Sequence, residues 1–317
     1  MQQKFTQPKV TIAIPAYKKA FLANSIESVL QQTYTNIELI IVNDKSPEDI
    51  DSIIKKFHDP RIKYYKNEFN IGKKDPVANW NKCLSYATGE FFALLCDDDL
   101  YETTFIEELL RLAQKYPKTN VFRARVGVIN STNHFIDLYP TSPEWESTID
   151  YIWHLSNNYR RQTISEFMYR LQPILEIGGY TSLPKAWCAD FVSVLRFSQN
   201  GGIVSSPQIL TKFRMSGINI STADNKYIKE KVEAQIKYTK WIKKLLSQES
   251  LINNDQVDMI LKAREKQEDL VISAYLALAR IKDFFFLWKN RKLELYKIKN
   301  RCFLKAIIKK IQRTIIK

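Results

Sequence analysis

The chain of 317 residues is 45% hydrophobic and 12% aromatic, and its 8 glycines and 11 prolines exclude a disordered, collagen-like or low-complexity protein. Residues 1–225 carry 25 basic against 24 acidic side chains, a balance of +1, whereas residues 226–317 carry the remaining 23 and 10, a balance of +13. Such a distribution excludes a uniformly basic protein and points to a neutral body followed by a region that faces something anionic.

Near the start, 10–15 (VTIAIP) reads as a strand, and 21–32 as a helix with Leu22, Ile26, Val29 and Leu30 on one face. Residues 38–42 (ELIIV) are a second apolar strand. Ser46-Pro47-Glu48-Asp49 predicts a helix start, with a capping Ser and Pro at the first helical position. A short strand at 62–65, a helix over 75–87, a buried strand at 91–95, a helix over 102–115 and a strand over 121–129 follow. Residues 131–225 mix loops, short helices and strands. Within them Glu166 and Arg170 are spaced to pair across one helical turn. The last third is Lys-rich and helical in pattern.

Strand–helix alternation with continuously apolar strands predicts an α/β fold whose mostly parallel sheet is covered by helices on both faces. Ligands of such sheets bind beyond the carboxyl ends of the strands. Ala16-Tyr17, Asn43-Asp44 and Asp97-Asp98-Asp99 all follow strands, so they are expected to converge. Adjacent carboxylates at a sheet rim need a cation, and oxygen ligands suit Mg²⁺ or Mn²⁺ shared with substrate phosphates. Neither GxxxxGK[ST] nor a GxGxxG after the first strand is present, so phosphate binding falls to the metal. A metal bridging carboxylates and a diphosphate also stabilises that diphosphate as it departs.

The four cysteines, Cys83, Cys96, Cys188 and Cys302, form no CxxC pair, which argues against a zinc or redox motif and fits a reducing, cytoplasmic setting. His58, His134 and His154 have no partner at metal-ligand spacing. MQQKFTQPKV lacks an apolar leader segment, and the longest apolar-rich run, 270–279, is about half the roughly 20 residues of a spanning helix. A soluble or peripheral protein is expected.

At this point the sequence resembles the family 2 glycosyltransferases, inverting enzymes with the GT-A fold. The resemblance is carried by VTIAIPAYKKAFLANSIESVLQQTYTNIELIIVNDKSPED (10–49), NIGKKDPVANWNKCLSYATGEFFALLCDDDLY (70–101), GGYTSLPKAWCADFVSVLRFSQNGGIV (178–204) and LTKFRMSGINIS (210–221). It implies that Pro15, Ala16 and Tyr17 lie along the nucleotide base, with Asp44 accepting hydrogen bonds from the base and Asn81 also at the nucleotide-sugar. Asp97 falls near the ribose, Asp98 and Asp99 at the metal, and Asp190 in AWCAD at the general base. This chain reads Asn79-Trp80-Asn81 where many members have Ala-Arg-Asn, and Arg214-Met215-Ser216 where many have R-x-H.

The implied chemistry is a direct displacement with inversion: Asp190 deprotonates an acceptor hydroxyl, which attacks the anomeric carbon of a UDP-sugar opposite the leaving diphosphate. Residues 1–225 are expected to be the GT-A domain, with a nucleotide half (1–130) and an acceptor half (131–225) where Trp187 reads as core or acceptor pocket. Residues 226–317 are expected to be a separate basic helical region. The segment 296–317 holds eight Lys/Arg and no acid, and as a helix it aligns Leu304, Ile308, Ile311 and Ile315 on one face. It reads as an amphipathic basic helix that rests on an anionic membrane or packs on its own domain; nothing resembles a nucleic-acid motif. A lipid-linked glycan acceptor at the inner face of the cell membrane fits that helix. A sugar nucleotidyltransferase and a catalytically silent scaffold remain as alternatives; the first needs a glycine-rich loop that PAYKKAF lacks, and the second leaves the intact acids without a purpose.

Overall fold

Four strands form the parallel half of a mixed sheet: the apolar β1 (Val10–Ala16), β2 (Ile37–Asn43) and β4 (Phe91–Leu94) and the half-buried β3 (Ile62–Lys66), in the order β3-β2-β1-β4. In the computed structural model, which describes residues 7–217, 226–248 and 252–315, every residue of β2 and all but Pro15 of β1 are buried. Pro15 stands beyond the last β1–β4 pair, where its missing N–H removes no ladder bond. Helix α1 (Leu22–Leu30) buries Leu22, Ile26 and Val29, as its periodicity predicts. The helix expected from Ser46 starts only at α2 (Asp51–Ile54): the Ser46 hydroxyl donates to Tyr17 O instead, and Asp49 accepts from Ser52 N. Helix α3 (Pro76–Ser85) is capped by Asp75, whose carboxylate accepts from Val77 N.

A two-residue strand, β5 (Leu100–Tyr101), follows the aspartate triplet and delays α4 (Phe105–Lys115) by three residues from its expected start. β6 (Val121–Ile129) matches its predicted range and carries the short edge strand β7 (Phe135–Leu138). β8 (Trp145–Glu146) and α5 (Thr148–Ser156) lead to β9 (Phe167–Arg170), which wedges antiparallel between β4 and β6. The expected pairing of Glu166 with Arg170 is therefore corrected: the residues between them are extended, not helical. Glu166 instead meets the buried Arg123 at 2.6 Å, and Arg170 donates to the carbonyls of Thr119 and Ala113. After α6 (Leu171–Glu176) and α7 (Ala189–Ser198), β10 (Ile203–Arg214) runs parallel to β6 and completes the order β4-β9-β6-β10-β5. The mixed α/β class with a central sheet between helices is as expected. A cleft of about 940 Å³, lined by Pro8, Tyr34, Glu90 and Arg170 among others, opens at the amino ends of β1 and β4.

The chain divides into two units. The sheet unit holds Met1–Thr148, Arg161–Ser182 and Ser193–Ser216; the helical unit holds Ile149–Arg160, Leu183–Val192 and Gly217–Lys317. The boundary expected after residue 225, and residues 218–221 of the last resemblance segment, lie at or within stretches outside the described residues. In the helical unit α8 (Ile228–Leu246), α9 (Asn254–Leu278), α10 (Ile281–Asn290) and α11 (Asn300–Ile315) enclose Ile228, Val232, Ile272, Leu276, Leu287 and Phe303. Phe284 and Trp288 meet Phe303 edge-on at 5.4 and 4.9 Å.

Helix α11 has two apolar faces. Cys302, Phe303 and Ala306 are buried in the unit's core, whereas Leu304, Ile307, Ile308 and Ile311, at i, i+3, i+4 and i+7, are exposed. Arg301 and Lys305 are also exposed and Lys309 is half-buried, and all three border that second row. Helix α10 likewise exposes Ile281, Phe285 and Trp288 along one stripe, beside Lys282 and Lys289. The side chain of Ile315, expected in the α11 row, lies outside the described residues. No helix among the described residues is long and apolar enough to cross a membrane.

Candidate active site

The carboxyl ends of β1, β2 and β4 lie side by side, and acids stitch the loops that leave them. Asp97, just past β4, accepts from Tyr17 N at 2.8 Å and Lys18 N at 2.6 Å, which fixes the loop after β1. Asp44, just past β2, donates its own N–H to Ala16 O. Its carboxylate accepts from Ile71 N, Gly72 N and the Asn67 amide at 2.7–2.9 Å. A Cβ at position 72 would sit 2.6 Å from Asp44 Oδ2, so only glycine permits this clasp. The three strand ends expected to converge are thus hydrogen-bonded to one another or to a common loop.

The triplet is not three equivalent acids. Asp98 Oδ2 meets Lys18 Nζ at 2.5 Å, and the same ammonium lies 3.5 Å from Asp97 Oδ1. Asp99 turns inward: its carboxylate accepts from Ser165 Oγ at 2.6 Å and Arg214 N at 2.9 Å. Burial and the neighbouring Asp98 charge push Asp99 up to about 8, against the pull of those two donors. Burial also raises Asp97, with Lys18 opposing the shift. For Lys18, burial alone would lower the pKa; the charges of Asp97 and Asp98 outweigh it and raise it, so this ammonium stays charged.

Arg214, fully buried at the end of β10, holds the triplet's backbone. Its Nε donates to Asp98 O at 2.8 Å, its Nη1 reaches Asn130 O and Asn133 Oδ1, and the guanidinium lies over the Phe21 ring at 4.3 Å. Asn81, expected at the nucleotide, uses both ends of its amide on the backbone of Tyr180: Nδ2 donates to the carbonyl and Oδ1 accepts from the N–H. Tyr17 is exposed beside this rim, and Pro15 is half-buried.

A divalent cation shared with a diphosphate needs one or two carboxylates from the protein. Asp97 and Asp98 fit that requirement. Asp99 would have to give up Ser165 and Arg214 N to join them, and no group of three His, Cys, Asp or Glu gathers at one point among the described residues. The donor set is two carboxylates, with the Lys18 ammonium already between them.

Asp190 stands half-buried in the first turn of α7, within the helical unit's share of that helix. The residues leading into it are strained. Lys185, Ala186 and Cys188 all have φ between 54° and 61°, a left-handed conformation that such side chains rarely adopt and that costs on the order of 1–3 kcal/mol each. Burial pushes the Cys188 thiol up to about 12; Arg264 opposes the shift and the Asp190 charge adds to it. Trp187 is half-buried, with Lys231 Nζ 4.4 Å from its ring centre and Tyr275 edge-on.

Lys18, Ser165, Arg214 and Gly72 were not foreseen from the sequence. Lys18 was within reach of the argument, because buried carboxylates need a nearby cation and PAYKK is the loop after the adjacent strand.

A family model, glycosyl transferase family 2, matches residues 11–171. An uncharacterized glycosyltransferase of Rickettsia typhi is 34% identical over 122 residues, which is 38% of this chain and 37% of that protein. The UDP-Glc:alpha-D-GlcNAc-diphosphoundecaprenol beta-1,3-glucosyltransferase WfgD of Escherichia coli is 35% identical over 107 residues, 33% of this chain and 41% of the relative. The chain thus spans well under half of the length of these relatives. Among solved structures, residues 1–349 of S. aureus TarS in complex with UDP-GlcNAc superpose with a TM-score of 0.64 at 14% identity, over 95% of this chain and 89% of that one, a likeness of fold. The family match covers half of the chain and includes every strand end that forms the acidic rim, so this chain belongs to glycosyl transferase family 2.

Proposed function

We propose that this chain transfers a sugar from a nucleoside-diphosphate sugar, a UDP-sugar first of all, to a hydroxyl of a lipid-linked glycan in surface-polysaccharide synthesis, with inversion at the anomeric carbon. The observation that carries this reading is the acid-stitched rim. Asp97 fixes the backbone of Tyr17 and Lys18, Asp44 fixes Ile71 and Gly72, and the carboxylate of Asp98 meets the Lys18 ammonium. Pro15, Ala16, Tyr17 and Asp44 bind the base, Asp97 the ribose side, and Asn81 supports the rim through Tyr180. Asp99 positions the triplet through Ser165 and Arg214 N. A divalent ion, Mn²⁺ or Mg²⁺, held by Asp98 and Asp97 supplies Lewis-acid stabilisation of the leaving diphosphate.

Asp190 accepts the proton of the acceptor hydroxyl as that oxygen bonds to the anomeric carbon and the bond to the diphosphate oxygen breaks. Its support is its place in the AWCAD motif and the strained segment that presents it. The acceptor is assigned as lipid-linked because the Escherichia coli relative is named for a diphosphoundecaprenol acceptor, and because the helical unit exposes two apolar rows bordered by cations. Leu304, Ile307, Ile308 and Ile311 of α11 and Ile281, Phe285 and Trp288 of α10 would enter the interface of an anionic membrane, with Lys and Arg at the headgroups. That makes the chain a peripheral protein of the inner membrane face, with two domains of different duty: donor chemistry in the sheet unit, surface attachment in the helical one.

Thermal unfolding with UDP, GDP and UDP-sugars in Mn²⁺ tests the donor reading. A rise of about 2–4 °C at saturating nucleotide is expected. No response to any nucleoside diphosphate overturns it.

A further inference from the structure

The rim holds its own cation. Lys18 Nζ is 2.5 Å from Asp98 and 3.5 Å from Asp97, and its side chain is 23% exposed against 5% and 6% for the two carboxylates. Asp97 and Asp98 are also the carboxylates a divalent ion would take, since Asp99 faces inward. An ammonium at 2.5 Å and a divalent ion at about 2.1 Å on the same carboxylate repel each other, so each weakens the other's hold on Asp98.

We propose that Lys18 is an exchangeable counter-cation: it neutralises Asp98 while no divalent ion is bound, yields Asp98 to the ion, and then turns to the diphosphate of the donor. Three features support the exchange. The Lys18 backbone is anchored through its N–H to Asp97, so the displaced side chain pivots from a fixed point. A lysine carries a point charge on a flexible four-carbon stem, which can swing through several ångströms and suits phosphate oxygens. The chain also has no glycine-rich phosphate loop after β1, and Lys18 stands in that loop, where its ammonium can serve a diphosphate. The neighbouring Lys19 is exposed and donates its N–H to Glu48.

The inference rests on the donor reading for its diphosphate half and on geometry alone for its ion half. The test is a Mn²⁺ titration of the full chain, with free Mn²⁺ followed by electron paramagnetic resonance in the absence of nucleotide. Lys18→Gln removes the competitor and is expected to tighten Mn²⁺ binding by about tenfold, the equivalent of one lost buried ion pair of roughly 1.4 kcal/mol. Mn²⁺ should correspondingly raise the melting temperature of Lys18→Gln more than that of the unaltered chain, a response that a merely structural lysine would not produce. Calorimetric titration with UDP in EDTA should show about tenfold weaker binding to Lys18→Gln, and Lys18→Arg should recover most of it. Unchanged or weaker Mn²⁺ binding in Lys18→Gln overturns the exchange, and unchanged UDP binding overturns the turn to the diphosphate. A chain that binds Mn²⁺ but neither UDP nor GDP overturns the donor reading while the Mn²⁺ comparison still decides the exchange.

Discussion

In the sheet unit charge is buried and assigned: Asp44, Asp97, Asp98 and Asp99 lie at a strand rim, and hydrogen bonds to named N–H groups, a serine, or one lysine hold them. In the helical unit much of the charge stands in water, beside apolar rows that the unit's own core leaves uncovered. Both regions bind through electrostatics on the proposed reading, but on different terms. A small anionic ligand is recognised by donors and acceptors held in fixed positions, which the rim of a sheet supplies. An anionic surface has no fixed geometry, and a mobile fringe of Lys and Arg around a greasy stripe meets it without precise positions. Substitutions should therefore act steeply in the first unit and gradually in the second.

The steepest effect is expected at Asp190. Asp190→Asn should lower turnover by about 10³-fold, the range of a lost general base, while UDP affinity by calorimetry stays within about twofold. Retained turnover would refute the base. Next is Arg214→Ala, which keeps the backbone N–H to Asp99 but leaves the carbonyls of Asp98 and Asn130 without the buried guanidinium that donates to them. Urea unfolding followed by a probe in the sheet unit should show a loss of about 3 kcal/mol, with UDP binding weakened in the protein that stays folded. A change below about 1 kcal/mol would mean the rim is held by the strands alone.

Membrane recovery is the third test, and the packing of α11 dictates its form. Truncating residues 296–317 would remove Phe303 and Ala306 from the helical core along with the exposed row. The triple substitution Leu304→Ser, Ile308→Ser and Ile311→Ser changes the outer row alone. It should lower partitioning onto phosphatidylglycerol vesicles by about 10²-fold, with little change in melting temperature and in UDP affinity. Equal vesicle recovery would break the proposed division of labour.

The smallest effect lies at the amino end of β2, the opposite end of that strand from the rim. Burial alone would raise the Glu38 pKa, but bonds from Lys63, Thr11, Lys9 and Thr88 N hold it near 2, below its ordinary 4.5. The folded chain then binds fewer protons than the unfolded chain between those values. The stability from Glu38 is complete above pH 4.5 and disappears as the pH falls through about 2. Glu38→Gln should remove this acid-side slope and lower neutral-pH stability by about 2 kcal/mol; an unchanged acid unfolding profile would deny the network any net worth.

Which of these features the sequence revealed follows from how local their causes are. The apolar runs of β1, β2, β4 and β6 are self-evident because a strand buried on both faces needs no partner-specific pattern. β9 was concealed: four residues, FMYR, flanked by a Glu and ending in an Arg, fit a helical spacing as well as an extended one, and only insertion between β4 and β6 decides the matter. β5 is two residues long and exists only because β10 returns to it. At the rim, the positions of Asp44 and Asp97–Asp99 followed from the rule for strand ends. Their separate duties did not, because Ser165 and Arg214 lie 66 and 115 residues from Asp99 in the chain. The helical unit's share of 149–160 and 183–192 was invisible for the same reason, since a discontinuous unit leaves no change of composition at its borders.

The bond from Arg214 to the Asp98 carbonyl spans 116 positions. A ribosome needs on the order of ten seconds to cover that distance. During this interval β1, β2 and β4 are complete as sequence, yet the triplet between β4 and β5 lacks the guanidinium that shapes its backbone, and Asp99 lacks both Ser165 and Arg214 N. The nascent chain therefore carries its acidic rim before it carries the means to hold it. On the proposed reading, nucleotide capture becomes available only near the end of sheet synthesis, so competence for the donor would report on completed β10 and not on the folding of the first four strands.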